Sequence, residues 1–395
     1  MSATSPGPRR RRVLHLITRM IVGGAQENTL ASVVRVAPDR YESHLWTGPQ
    51  LGTEGSLLEE ATARGVQAVI IPDLVRELSP VRDARVTWDL ARRLRRDRFD
   101  LIHTHSSKAG IVGRVAAKLA GVPVIVHTAH GWGFHERMSV WRRNVYVGAE
   151  RALMPITDTL ISVSHRTTRI GVDAGIGRAE DYEMIRSGIP LERFRPDPEA
   201  RKRGRAEWGF AEDDVVIGTV GRLSEQKNPR DFVELARRVR ARGLKARFLY
   251  VGDGSLRPEI QAQIDEAGLG ADVTLAGLRR DVPDQLAAMD VFVLTSLWEG
   301  LPRVVPQALA TGRPVIAYDI SGMREIVLDG QNGWAIEPGA LDDLEARVVE
   351  LVEQPARREE LSRRALAEFD ASFSEDEMIR ALAALYDRLL AGQEV

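Results

Sequence analysis

The run Val291-Phe292-Val293-Leu294-Thr295-Ser296, followed by Glu299-Gly300-Leu301-Pro302-Arg303-Val304-Val305-Pro306-Gln307, decides the fold of this chain. The first part has the length and β-branched content of a buried strand. The second turns into a helix that stops near Gly312. An all-apolar strand feeding a helix through a short turn is the repeating unit of a parallel α/β sheet. Such sheets bind ligands outside the carboxyl ends of their strands, where Glu299 stands. Backbone N–H groups at a helix start suit anionic oxygens. Glu299 and Gln307 add side chains able to hold neutral hydroxyls. A phosphorylated sugar carries both kinds of group.

The same alternation extends outward in both directions. Upstream, Val13–Ile17, Ser43–Thr47, Val66–Ile71, Leu101–His105, Val122–His127 and Leu160–Ser164 are expected strands, separated by helical stretches such as Ala25–Val36, Trp88–Arg96 and Ala109–Leu119. A second series runs through Val215–Val220, Arg247–Val251, Val273–Ala276, Val291–Thr295 and Val315–Tyr318, with a Pro229-initiated helix. The fold class is therefore α/β: two Rossmann-like, doubly wound parallel-sheet domains facing across a cleft, with ligand bound between them. Prolines 190, 196 and 198 crowd the middle of the chain. They set the expected boundaries: a disordered basic tail over 1–12, a first domain over 13–187, a linker over 188–200 and a second domain over 201–375. Leu351–Glu368 is expected to be one amphipathic helix. A last helix over 376–395 is long enough to return to the first domain.

Composition narrows the function. A chain of 395 residues with 44% hydrophobic and 28% charged residues is an ordinary globular one. Its formal net charge of −1 gives no footprint for nucleic acid. The absence of cysteine excludes disulfides, thiolate nucleophiles and Cys-based metal sites, and fits a reducing cytoplasm. No apolar run is long enough to span a bilayer. Arg9–Arg12 is a solvated charge run, with contact to anionic lipid as the weaker reading.

Four polar clusters fall at strand ends. Gly23-Gly24 precedes a helix and allows close approach of backbone to a ligand, although an ordinary tight turn explains it equally well. His127-Thr128-Ala129-His130-Gly131-Trp132-Gly133-Phe134-His135 is a shaped loop in which one histidine can meet a substrate or a proton. Glu136 is its only carboxylate, so metal binding is not expected there. Arg222 and Lys227 precede the Pro229 helix and suit a diphosphate, Arg as a fork and Lys as a point charge. The fourth cluster is Glu299–Gln307. The chain contains no Asp-x-Asp pair, no Gly-x-Ser-x-Gly and no phosphate loop. Without a metal, a leaving diphosphate must be neutralised by side chains and helix ends.

Together these clusters resemble the retaining glycosyltransferases of family 4, which have the GT-B fold, over nearly the whole chain from Val13 to about Leu390. Gly221-Arg222 with Lys227 is similar to the family's diphosphate-binding pair, Val251–Gly254 to its second strand and turn in that domain, and Glu299–Gln307 to its Glu-x7-Glu signature. The resemblance implies transfer of a sugar from a nucleotide diphosphate donor, expected to be a UDP-sugar, with retention of configuration and no cofactor. It implies that Glu299 holds the donor sugar and that the second signature position holds the ribose. It places His130 beside the donor sugar, and the backbone of Leu278 and Arg279 beside the base. Two departures stand out: Gln307 replaces the second Glu, and the turn after Glu299 is Gly300-Leu301-Pro302, where Pro302 removes one N–H. The 103–110 and 130–134 segments resemble members that build bacterial surface polysaccharides. That implies a saccharide or polyprenyl-diphosphate-linked acceptor, and contact with the inner face of an anionic membrane. Trp132, Phe134, Trp141 and Arg142-Arg143 are the membrane-facing candidates, with helix packing as the alternative. The missing second Glu keeps open a non-catalytic nucleotide-sugar-binding protein, and the architecture keeps open a nucleotide-sugar epimerase.

Overall fold

The computed structural model describes residues 9–50 and 55–393. They form two compact units, one of residues up to Gly188 together with those from Glu375 onward, the other Ile189–Ser374.

The first unit is built on strands β1 (Arg11–Ile17), β2 (Tyr41–Thr47), β3 (Ala68–Ile70), β4 (Leu101–His105), β5 (Val124–Ala129), β6 (Thr159–Ser162) and β7 (Tyr182–Met184). They lie in the order β3-β2-β1-β4-β5-β6-β7, every pairing parallel. Chain order reverses between β1 and β4, which leaves a crevice at their carboxyl ends. Val13, Leu101, Val124 and Val126 face one side of this sheet. The C-terminal helix Glu375–Ala391 covers them with Met378, Leu382, Leu385, Tyr386 and Leu390, a helical spacing that puts all five on one stripe. Each such side chain withdrawn from water contributes about 1.5–3 kcal/mol.

The second unit holds β8 (Val216–Val220), β9 (Arg247–Val251), β10 (Val273–Gly277), β11 (Val291–Leu294), β12 (Val315–Tyr318) and β13 (Gly333–Ile336), in the order β10-β9-β8-β11-β12-β13 and again all parallel. Its reversal lies between β8 and β11. The helix Pro229–Ala241 buries Phe232, Leu235, Ala236 and Val239 at the 3.6-residue spacing and points Arg237 outward. Phe232 meets Phe248 and Tyr250 edge-on at 5.7 and 5.5 Å. A side chain at Gly252 has no room: its Cβ would lie 1.9 Å from the Gly221 carbonyl oxygen, at a φ of 141°. The loops after β8 and β9 touch there through backbone alone.

Three boundaries differ from expectation. Residues 1–8 lie outside the described ones, but Arg11 and Arg12 are in β1, not in a loose tail. The Arg12 N–H donates to the Asp100 carboxylate at 2.7 Å, and its guanidinium covers the Phe99 ring at 4.9 Å. The stretch read as linker ends at Asp197, whose carboxylate accepts from the Glu199 and Ala200 N–H groups and caps a helix starting at Pro198. The single helix expected over Leu351–Glu368 is two, Leu341–Glu353 and Pro355–Ala367. Pro355 has no N–H to continue the first and sits at the start of the second.

Candidate active site

At the reversal point of the second sheet, two loops meet. One leaves β8 as Gly221–Asn228, the other leaves β11 as Thr295–Arg303. Asn228 holds the first loop in a left-handed conformation, φ 48°, a strained choice that Asn tolerates better than most residues. The Thr295 hydroxyl ties the two loops by donating to the Lys227 and Asn228 carbonyls at 3.1 and 2.9 Å.

That tie brings together three of the four residues expected to be catalytic. The Lys227 ammonium donates to one oxygen of Glu299, and both side chains are nearly buried, 14% and 13% exposed. Gln226 donates to the other Glu299 oxygen at 3.3 Å and to the Trp298 carbonyl at 2.9 Å. Arg222 donates to the Gln226 side-chain carbonyl oxygen at 3.4 Å. The result is a continuous strip, Arg222–Gln226–Glu299–Lys227, with two cations, one anion and one amide. Its net positive charge and fork-shaped donors match a diphosphate, and the carboxylate beside them matches hydroxyls.

The rest of the signature follows. Gly300, Leu301 and Pro302 are buried, and the Val305 N–H is already taken by the Pro302 carbonyl at 3.0 Å. Gln307 lies in the short helix Val304–Ala310 and is 6% exposed. Leu278 and Arg279 follow β10, two strands from β8. The Arg279 side chain is committed to Glu207 and Asp281, at 2.8 Å from each.

Gly23, Gly24 and His130 belong to the first unit. Gly24 opens the helix Gly24–Arg35. Gly23 is in extended backbone, and the nearest atom to a Cβ added there would be the far end of the Gln26 side chain, so neither conformation nor space demands glycine. His130 directly follows β5 and ends a chain of imidazoles. His15 on β1 lies in register with His103 on β4, and His103 and His105 share a face because strand side chains alternate. His15 Nδ1 lies 3.1 Å from His105 Nε2, and His105 Nδ1 lies 3.0 Å from His130 Nε2. His103 bonds the Tyr386 hydroxyl at 2.5 Å and the Thr128 hydroxyl at 2.6 Å. Burial holds His15 down to about 3, and pushes His103 and His105 well below the ordinary imidazole value, so the three are neutral. His127 faces the other side of the sheet and meets Thr104 at 2.9 Å, a packing role. Next to His105, Ser106 has φ 66° and ψ 151°, a conformation otherwise almost confined to glycine.

Two membrane-facing candidates are corrected. Phe134 is 5% exposed, and Trp132 stacks on it at 5.5 Å while donating its N–H to the Thr167 carbonyl. Both close a small core with Val147 and Leu160, because each aromatic ring gains more from that core than from water. Trp141, by contrast, is 69% exposed, with Val140 and Val145 beside it on the helix Val140–Leu153.

Known proteins share this sequence pattern and fold. Residues 200–367 match the Glycosyl transferases group 1 family and residues 22–193 match Glycosyltransferase Family 4. The chain is 31% identical over 344 residues to an Escherichia coli UDP-Gal:alpha-D-GlcNAc-diphosphoundecaprenol alpha-1,3-galactosyltransferase, covering 86% of this chain and 87% of that one. The chain belongs to the family 4, or group 1, glycosyltransferases. It is 25% identical to alpha-D-kanosaminyltransferase of Streptomyces kanamyceticus over 75% of this chain and 79% of the relative. The crystal structure of Anabaena HepE in complex with UDP and glucose shares the fold with a TM-score of 0.81 at 22% identity, over 96% of this chain and all of that one. The glycosyltransferase thus has the GT-B fold and takes its sugar from a nucleotide-sugar donor. Of the three readings left open by the sequence, the transferase stands.

Two parts of the glycosyltransferase escape sequence reading. Gln226 reads as one polar residue in a polar loop, and only the loop closure makes it the link between Arg222 and Glu299. The imidazole chain is signalled by His103-x-His105 in a strand, but its third member, His15, needs the register of β1 with β4.

Proposed function

We propose that this glycosyltransferase transfers a sugar from a UDP-sugar to a lipid-linked saccharide acceptor, with retention and without a metal. The observation that carries this reading is the strip Arg222–Gln226–Glu299–Lys227 at the reversal point of the second sheet. In the reaction the bond between the sugar's anomeric carbon and the diphosphate oxygen breaks, and its electron pair stays on that oxygen. Arg222 and Lys227 stabilise the charge that develops there. Glu299 accepts hydrogen bonds from donor-sugar hydroxyls and holds the ring in one orientation. The acceptor oxygen bonds to the anomeric carbon on the face the diphosphate leaves, and its proton passes to the departing phosphate oxygen. Gln307 bonds the ribose, its carbonyl accepting as a carboxylate would. The backbone of Leu278 and Arg279 borders the base, the Gly300–Pro302 turn and Gly23–Gly24 border the phosphate, and His130 meets the donor sugar or acceptor.

The UDP donor and undecaprenyl-diphosphate-linked acceptor named for the Escherichia coli relative support the choice of substrates. Among the described residues no helix is long and apolar enough to cross a membrane. A lipid-linked acceptor is then met at the surface, on the cytoplasmic side, where Val140, Trp141 and Val145 offer apolar contact and Arg142 and Arg143 attract anionic headgroups.

The test is nucleotide release from a panel of UDP- and GDP-sugars, with saccharide and polyprenyl-diphosphate-linked acceptors. Release is expected with one donor and one acceptor class, and is expected to collapse in both Glu299→Ala and Arg222→Ala. Unchanged turnover in both variants would sink the assignment.

A further inference from the structure

Lys227 meets a carboxylate before it meets any phosphate. Its ammonium donates to one oxygen of Glu299, and the two side chains are nearly buried. Both ends of the pair are held in place. The Lys227 stem lies on Gly221, where an added Cβ would come within 3.2, 3.3 and 3.4 Å of three of its carbons. The backbone leading to Glu299 is pinned at each step. The Leu297 N–H donates to the Gln226 carbonyl at 2.8 Å, the Gln226 side chain donates to the Trp298 carbonyl at 2.9 Å, and the Ser321 hydroxyl donates to the Glu299 carbonyl. The Glu299 carboxylate is therefore a fixed neighbour of the Lys227 ammonium.

That neighbour limits what a bare diphosphate can gain. An ammonium has three N–H donors, so Lys227 can take a phosphate oxygen while keeping Glu299. Two acceptors at about 2.7–2.9 Å from one tetrahedral nitrogen then lie roughly 4.4–4.7 Å apart. Two anions at that separation oppose each other, and a nearly buried site screens them less than water does. The other route is for Glu299 to give up Lys227. It then keeps only its 3.3 Å bond from Gln226 to balance a nearly buried charge. On either route a diphosphate binds against Glu299.

A diphosphate that carries a sugar meets a different balance. A carboxylate has about four lone-pair sites. Lys227 and Gln226 each donate to one oxygen, which leaves sites for sugar hydroxyls. Hydrogen bonds from those hydroxyls offset the opposition between carboxylate and phosphate. They leave with the sugar when it is transferred.

We propose that Glu299 is a specificity-determining residue that favours the sugar-bearing donor over the spent nucleotide: its charge weakens binding of a nucleoside diphosphate that has lost its sugar, and so promotes product release. The inference rests on the reading given above, in which Lys227 takes a phosphate oxygen and Glu299 the sugar hydroxyls. It adds that the same carboxylate opposes the product.

Calorimetric titration of the full-length protein with UDP and with GDP tests this. Glu299→Gln keeps the shape and removes the charge. It is expected to bind the nucleotide at least about tenfold tighter than wild type, while its turnover falls. Glu299→Ala also removes the charge and is expected to show the same direction, which guards against one variant that merely misfolds. Glu299→Asp keeps the charge and is expected to bind within about threefold of wild type. The sugar conjugate that turns over in the panel above is expected to gain less than twofold in Glu299→Gln, so the preference for donor over product shrinks. A glutamate with a purely structural role would not raise product affinity while lowering turnover. Nucleotide affinity unchanged or weakened in both folded neutral variants overturns the proposal, as does an equal gain for nucleotide and sugar conjugate. If Lys227→Ala still loses affinity in that case, the donor-site reading survives. Nucleotide binding that ignores Lys227→Ala, or that is missing from wild type and Glu299→Gln alike, overturns both.

Discussion

The two sheets reverse their strand order in the same way, yet the two reversal points carry opposite chemistry. Between β8 and β11 stand Arg222, Lys227 and Glu299, charged groups joined by Gln226. Between β1 and β4 stand neutral rings and hydroxyls: His15, His103 and His105, with Tyr386 and Thr128 bonded to His103. Each loop at these points also includes a non-glycine residue at positive φ, Asn228 in one and Ser106 in the other. Topology sets where a site can be, and the side chains there decide what it does. A charged strip suits the phosphates of a donor. An uncharged, protic one suits groups whose protons must be directed without adding charge.

Acid should separate the two units most strongly. All eight histidines lie in the first unit, and burial lowers His15, His103, His105 and His127 in the folded state. A depressed imidazole binds fewer protons folded than unfolded, so stability is full above the unfolded value near 6.5 and falls as pH drops below it. By pH 5.5 the unfolded form gains about 1.4 kcal/mol for each such ring, and four rings withdraw several. Amide hydrogen exchange of the full chain at pH 7.5 and 5.5 should show β1, β4 and β5 losing protection while β8 and β11 keep theirs. Equal losses in both units would break the comparison.

Next comes catalysis. Arg222→Ala or Lys227→Ala should cost turnover about 10²–10³-fold, the usual loss for one donor aimed at developing charge. Glu299→Gln should do comparable damage while keeping its shape. Glu299→Ala should in addition lower unfolding free energy by about 1–3 kcal/mol, because it strands a nearly buried ammonium. A smaller effect is expected at Gln307. Changing it to Glu should alter donor KM by about tenfold with kcat little changed, since a ribose contact is made equally in ground and transition states. The smallest effect concerns the exposed helix start: Trp141→Ala should weaken binding to anionic vesicles severalfold in co-sedimentation and leave turnover on a water-soluble acceptor intact.

Much of the fold is legible because parallel strands buried on both faces, such as Val291–Leu294, leave unbroken apolar runs. β7 and β13 are not: Tyr182–Met184 is short and half-buried, and Gly333–Ile336 starts at a glycine. At the site, Arg222, Lys227 and Glu299 can be picked out because each follows the end of a strand. Gln226 and His15 cannot, since their roles depend on one loop tie and one strand register that local sequence does not encode. Trp132 and Phe134 mislead because an aromatic-glycine loop reads the same whether it lies on a surface or folds back into a core.

The central claim is that nucleotide diphosphate is held by the charged strip of the second unit and not by the neutral chain of the first. Calorimetric titration with UDP and GDP tests it most directly, using wild type, Arg222→Ala, Lys227→Ala and His15→Leu. One nucleotide should bind the wild type, lose at least about tenfold in affinity in each of the first two variants, and bind His15→Leu within twofold of wild type. Full affinity in Arg222→Ala and Lys227→Ala, or a loss confined to His15→Leu, would contradict the account.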